Sequence, residues 1–179
     1  MINPQHLIEQ AQHLLDLDKR SQANLRRATS TAYYALFHLL IQEACAFHMG
    51  RGRDKRFMRA SLARAFGHEE MKRASKSFAS GTLPEQLEAA LNGAGALYSA
   101  KGRTSLSREV KSVAKAFVDL QTARHKADYD HFARLGAKEV GDYIQAVRDA
   151  FAAWDKIRGQ RDADVYMMAL LSGDRLAKR

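Results

Sequence analysis

The chain has 179 residues, 46% of them hydrophobic, with two prolines and one cysteine, which excludes a disulfide framework and a disordered chain and fits one domain over residues 1–179. Its formal net charge is +9, and nine lysines and arginines stand against three acids between Arg51 and Lys76, so a polyanion such as RNA is the partner that charge favours. No apolar run reaches the 18 residues of a membrane span, and the start MINPQHLIEQ lacks a signal-peptide pattern, so no membrane association is expected and the cytoplasm is the expected location.

Asn3 followed by Pro4 is an N-cap and first-turn pair, and Leu7, Ile8, Ala11, Leu14 and Leu15 mark an amphipathic helix to about Arg20. The next helix is predicted from Gln22 to His48, stopped by Gly50, with Cys45 as a small core residue. Leu25, Ala28, Ala32, Ala35, Leu36 and Leu39 form one apolar face and Tyr33, Phe37, Leu40, Ile41 and Ala44 another. A helix apolar on two sides is central, and its second side can meet another helix or another copy of the chain, so a homodimer is expected. Tyr34 and His38, one turn apart, read as core residues or as the wall of a pocket shared with Arg124.

Residues 50–105 read as the least regular part. A basic turn at 50–54 leads into Met58, Leu62, Ala65 and Phe66, an apolar face set opposite Lys55, Arg56 and Arg59, which are the expected RNA contacts. Residues 68–81 read as polar with one weak helical stretch. Thr82-Leu83-Pro84-Glu85 is a capping-box pattern for a helix near 84–92, and Asn92-Gly93-Ala94-Gly95 marks a turn.

A cap among Thr104 to Ser107 starts a long helix to about Asp130, with Leu106, Val110, Val113, Phe117 and Leu120 on its buried stripe. Continued past Leu120, the stripe meets Arg124, Asp128 and His131, polar groups that are rarely buried without partners. Spacing leaves two readings open. The three residues can line a cleft, or Arg124 and Asp128 can be an ordinary i,i+4 ion pair worth about 0.2–0.5 kcal/mol, with His131 beside a helix C-terminus. The last strong helix starts near Ala137, a short one follows Gly159, and the tail 173–179 is expected to fray. The pattern is all-α, an up-and-down helical bundle of four to five main helices. No HExxH, carboxylate cluster or Cys/His set is present, so no metal and no cofactor are expected.

Arg27-Ala28-Thr29-Ser30-Thr31-Ala32-Tyr33-Tyr34-Ala35-Leu36-Phe37-His38 and Ala123-Arg124-His125-Lys126-Ala127-Asp128-Tyr129-Asp130 resemble, in sequence, order and separation, two segments of HEPN-domain proteins. The resemblance implies an all-α bundle that dimerises and, as in many members, a metal-independent endoribonuclease whose motif is Arg, a polar residue, then four to six residues to a His. Arg124, His125 and His131 can be laid on it with five residues between the histidines. Arg124 and His131 would then be catalytic, two of each meeting across a dimer, with His125, Asp128, Tyr129, Tyr34 and His38 in support. Histidine near neutrality moves protons and arginine presents a fork to phosphate oxygens, so attack by the RNA's own 2′-hydroxyl would leave a 2′,3′-cyclic phosphate, and the expected role is that of a toxin or defence component. The other reading the resemblance implies is a non-catalytic HEPN module that binds a nucleotide or a partner, such as a nucleotidyltransferase-like antitoxin. A DNA-binding helix-turn-helix protein would share the charge, but no such unit stands out in the sequence.

Overall fold

The computed structural model describes residues 2–93 and 106–172, and within them the chain is all-helical. The helices are α1 (Pro4–Leu17), α2 (Gln22–Met49), α3 (Arg56–Leu62), α4 (His68–Ser80), α5 (Glu85–Gly93), α6 (Arg108–Tyr129), α7 (Ala137–Ile157) and α8 (Arg161–Ser172), with single 3-10 turns at Arg53–Lys55 and Ala63–Ala65. Ala94, Gly95 and the tail 173–179 lie outside the described residues. Among the described residues no helix is long and apolar enough to cross a membrane.

Local chemistry sets the helix ends. Asn3 Oδ1 accepts the Gln5 amide at 3.0 Å ahead of Pro4, Ser21 Oγ accepts that of Asn24 at 3.3 Å, and Ser107 Oγ accepts that of Val110 at 3.4 Å. Each satisfies an amide that the first turn leaves without an intrahelical partner. Gly136 has no side chain to cap α7, but its own amide donates to Glu139 Oε2 at 3.4 Å.

The centre of the fold is α2. It packs against α1, α6, α7 and α8, and both of its apolar faces are covered within this chain: Leu25, Leu36, Leu40, Tyr33, Phe37 and Ala44 are all buried. A second copy is therefore not required to bury this helix, because α6, α7 and α8 already occupy the side left open in the sequence.

Of the stretch 50–105, the described residues 50–93 are more regular than their composition suggests. Met71, Ala74, Ser75 and Phe78 of α4 form a buried i, i+3, i+4, i+7 stripe against α6 and α8. The stripe is short and contains a serine, which hides it among charged neighbours. Ser75 is satisfied nevertheless, its Oγ donating to Met71 O at 2.7 Å and lying 2.7 Å from the Tyr166 hydroxyl of α8. The helix stops at Gly81, whose φ of 83° is left-handed and costs a residue without a Cβ nothing. In α3, by contrast, no residue is buried. Met58 is exposed beside Phe57, so only Leu62 and Phe66 of the expected apolar face turn inward, and the correction follows from the 3-10 turns that bracket this two-turn helix.

Candidate functional site

The N-terminal half of α2 lies along the C-terminal half of α6, and between them opens a polar cleft of about 480 Å³. Arg27, Ser30 and Tyr34 line it from α2, at i, i+3 and i+7, and Arg124, Asp128 and Tyr129 from α6. Arg124 organises it. Its Nε lies 2.6 Å from Asp128 Oδ2, and its Nη2 donates to the Tyr34 hydroxyl at 3.2 Å. The Nε–H is not aimed along the line to that oxygen, so the Asp128 contact is ionic rather than a directed hydrogen bond. The guanidinium carbon also sits 5.6 Å from the Tyr34 ring centroid, 5.5 Å from that of Tyr129 and 6.0 Å from that of Tyr33, distances at which a ring quadrupole attracts a cation. Burial pulls against its charge, and Tyr34, Asp128 and Tyr129 outweigh that pull and hold its pKa above the ordinary value.

Asp128 binds the helices together, since the Ser30 hydroxyl of α2 donates to its second oxygen. The side chains of Arg124 and Asp128 are 17% and 29% exposed, so the stripe that carries core residues upstream does open here into a half-buried polar pair. Arg26, one residue along α2, donates to the carbonyls of Ala127 and Ala133, which caps the end of α6.

Helix α6 ends at Tyr129, and this moves His131 off the stripe. Asp130 Oδ1 accepts the amides of Phe132 and Ala133, both at 3.0 Å, making a turn that carries His131 to the surface. His131 lines an adjoining cleft of about 550 Å³ with Phe132 and Arg134; the two clefts share Arg26 as a wall. Within one chain, Arg124 and His131 therefore do not line one cleft. His125 is exposed on α6, its ring 5.0 Å from that of Tyr129.

His38 belongs to an aromatic cluster behind the cleft rather than to its lining. It packs on Tyr34 and Phe37, and His68 at the start of α4 stacks on Phe37 at 4.2 Å while its Nδ1 lies 2.6 Å from the Tyr33 hydroxyl. Gln121 of α6 donates to His68 O at 3.1 Å and to Glu69 Oε1 at 2.9 Å. Burial, and then Arg124, lowers the His68 pKa; burial, and then His68, lowers that of His38. Burial pushes the Cys45 thiol up to about 11, consistent with a packed residue rather than a nucleophile.

The basic segment is elsewhere. From Arg27 to the end of α2 at Met49 the helix rises roughly 30 Å at 1.5 Å per residue, and α3 begins beyond that end. Lys55 and Arg56 are exposed there, whereas Arg59 turns back to donate to Gly50 O at 2.6 Å and Gly52 O at 2.9 Å.

The residue that sequence reasoning passed over is Arg27. It is exposed, lines the cleft, and has no ion pair or hydrogen bond among the described residues. Its signal was the shared helical face with Ser30 and Tyr34. Among the described residues no group of three His, Cys, Asp or Glu is placed to hold a metal ion. No protein-family model, curated protein or solved structure matches this chain.

Proposed function

We propose that the chain is an HEPN-like, RNA-binding module that seats a backbone phosphate in the cleft between α2 and α6. The observation that carries this is the pairing of two guanidinium groups of different kinds. Arg124 is fixed by Asp128, Tyr34 and three rings, while Arg27 is unpartnered in the same cleft. Asp128 neutralises one charge and leaves the cleft net positive through Arg26, which is held on the carbonyls of Ala127 and Ala133, and Arg27, which is free to turn to a ligand; a guanidinium fork matches the oxygens of a phosphate. The net charge of +9 favours a polyanion over a lone small anion.

The test is RNA binding by Arg27→Gln across a salt series. Arg27 supports no other residue, so the variant should melt with the parent, bind more weakly, and show a salt slope smaller by about 0.7, the value for one lost contact to a single strand. Unchanged affinity and slope would remove the cleft from RNA binding.

One observation supports a catalytic version of this reading. His131 is exposed, free of protein partners among the described residues, and lines the cleft adjoining that of Arg124. A second copy of the chain could bring its His131 to a phosphate held by Arg124, giving a dimeric, metal-independent endoribonuclease, plausible as a toxin or defence component. In that case the purified protein cuts a mixed RNA pool in EDTA and leaves 2′,3′-cyclic phosphates, and His131→Ala loses about 10²–10⁴-fold in rate. Cutting at the parent rate by His131→Ala would leave the binding module as the function, with RNA, a nucleotide or a nucleotidyltransferase-like partner as what it holds.

A further inference from the structure

The turn after α6 presents an aromatic ring to solvent from a firmly braced backbone. Phe132 is 97% exposed, and no ring contact holds it among the described residues. Its backbone is the opposite of free. Asp130 accepts the amides of Phe132 and Ala133, Arg26 donates to the carbonyl of Ala133, and Gln22 exchanges two hydrogen bonds with Leu135, its Nε2 donating to Leu135 O at 2.9 Å and its Oε1 accepting the Leu135 amide at 3.0 Å. Three side chains thus fix the path of a turn whose own large apolar side chain buries nothing. Tyr129, the other exposed ring nearby, is already engaged with Arg124 and His125.

The surroundings of Phe132 carry more positive than negative charge, with Asp130 in the turn itself set against several arginines. Arg26 and Arg134 line its cleft, and across Arg26 lie Arg27 and Arg124. Every nucleobase has a π-face that stacks on an aromatic ring whatever its sequence, and a cationic groove beside such a ring follows the backbone. A duplex has no free base face to offer.

We propose that Phe132 is a base-stacking platform and that the ligand of the two joined clefts is single-stranded RNA, with a phosphate at Arg27 and Arg124 and a neighbouring base on Phe132. This rests on the phosphate-binding reading of the cleft and adds the strand state to it. The turn acts by pre-organisation, since Asp130, Arg26 and Gln22 hold the ring in place before the strand arrives. Because stacking reads no base edge, affinity should be nearly independent of sequence.

The experiment compares four labelled probes by fluorescence anisotropy: a 12-nucleotide uridine strand, a mixed-sequence strand, a duplex of that length, and a 12-unit abasic ribose-phosphate strand. The two single strands should bind alike and more tightly than the duplex and the abasic strand. Phe132→Ala should weaken the single strands about 5- to 160-fold, to the abasic level, while Phe132→Trp keeps parental affinity. Equal binding of single and abasic strands would overturn the platform and leave the phosphate site standing. If no probe binds, the parent reading fails with it. Loss of a dimer in sedimentation of Phe132→Ala, with RNA affinity unchanged, would instead make this ring a contact between copies and overturn the proposal.

Discussion

Arg124 and Asp128, one turn apart on α6, form an ion pair at 2.6 Å whose carboxylate is also the acceptor for the Ser30 hydroxyl of α2. One carboxylate therefore neutralises the central arginine and joins the two helices that make the cleft. Asp128→Asn keeps an acceptor for Ser30 and removes the charge. Stability should fall by only about 1 kcal/mol, since both side chains keep some contact with water. RNA should bind more tightly and with a steeper salt slope, because Arg124 becomes available to phosphate. Urea titrations and anisotropy across a potassium chloride series measure the two effects; weaker binding would mean that Asp128 serves mainly to position Arg124.

Arg59 and its neighbours Lys55 and Arg56 should separate into two classes. Arg59 donates to two loop carbonyls, Gly50 and Gly52, so Arg59→Gln should cost about 1–2 kcal/mol, as for charge-assisted hydrogen bonds that are part exposed. Its RNA affinity should change little. Lys55→Gln with Arg56→Gln should leave stability within about 0.5 kcal/mol of the parent and lower both RNA affinity and the salt slope; an unchanged slope would make this a merely solvated face. Thermal melts and binding titrations on the same preparations distinguish the classes.

Phe78 tests whether α4 belongs to the core. It is fully buried, with its ring centroid 4.8 Å from that of Tyr166. Phe78→Ala should cost about 3–5 kcal/mol, measured by the denaturation midpoint. A loss under about 1 kcal/mol would return residues 68–81 to the weak stretch that their composition suggests.

His38 and His68 give stability a dependence on pH. Burial holds both below the imidazole reference value of 6.5, helped by His68 at His38 and by Arg124 at His68, with Glu69 opposing the latter. The unfolded chain therefore takes up protons first, and stability rises with pH. The contribution is complete above about 6.5 and is lost as pH falls below it. The urea midpoint should be lower at pH 5.5 than at pH 7.5, and the double variant His38→Gln with His68→Gln should reduce that difference. An equal difference in the variant would place the titrating groups elsewhere.

Much of the helical frame was legible because helix ends are local chemistry. Asn3-Pro4, Gly50 and Ser107 mark boundaries that need no tertiary information. The stripe from Leu106 to Leu120 pointed inward because of its spacing, and its continuation leads to Arg124 and Asp128, an i,i+4 ion pair at the edge of the cleft. The polar stripe of α2 that carries Arg27, Ser30 and Tyr34 was equally periodic, but its use depended on the facing residues of α6.

Periodicity determined the all-helical class and which side chains share a face, and local capping chemistry determined several helix ends, although α1 stops at Leu17 rather than near Arg20. Tertiary structure decided what covers each face and where the residues beyond a helix end are carried. The sequence already ended α6 near Asp130, but the turn on Asp130 takes His131 off the seam that spacing assigned to it; Arg59 donates to loop carbonyls; and α6, α7 and α8 pack on α2, whose apolar residues an isolated helix would offer to a second copy. The reason is physical: a 3.6-residue repeat orients side chains about one axis, whereas burial, partnering and cleft formation depend on distances between axes that chain neighbours do not encode.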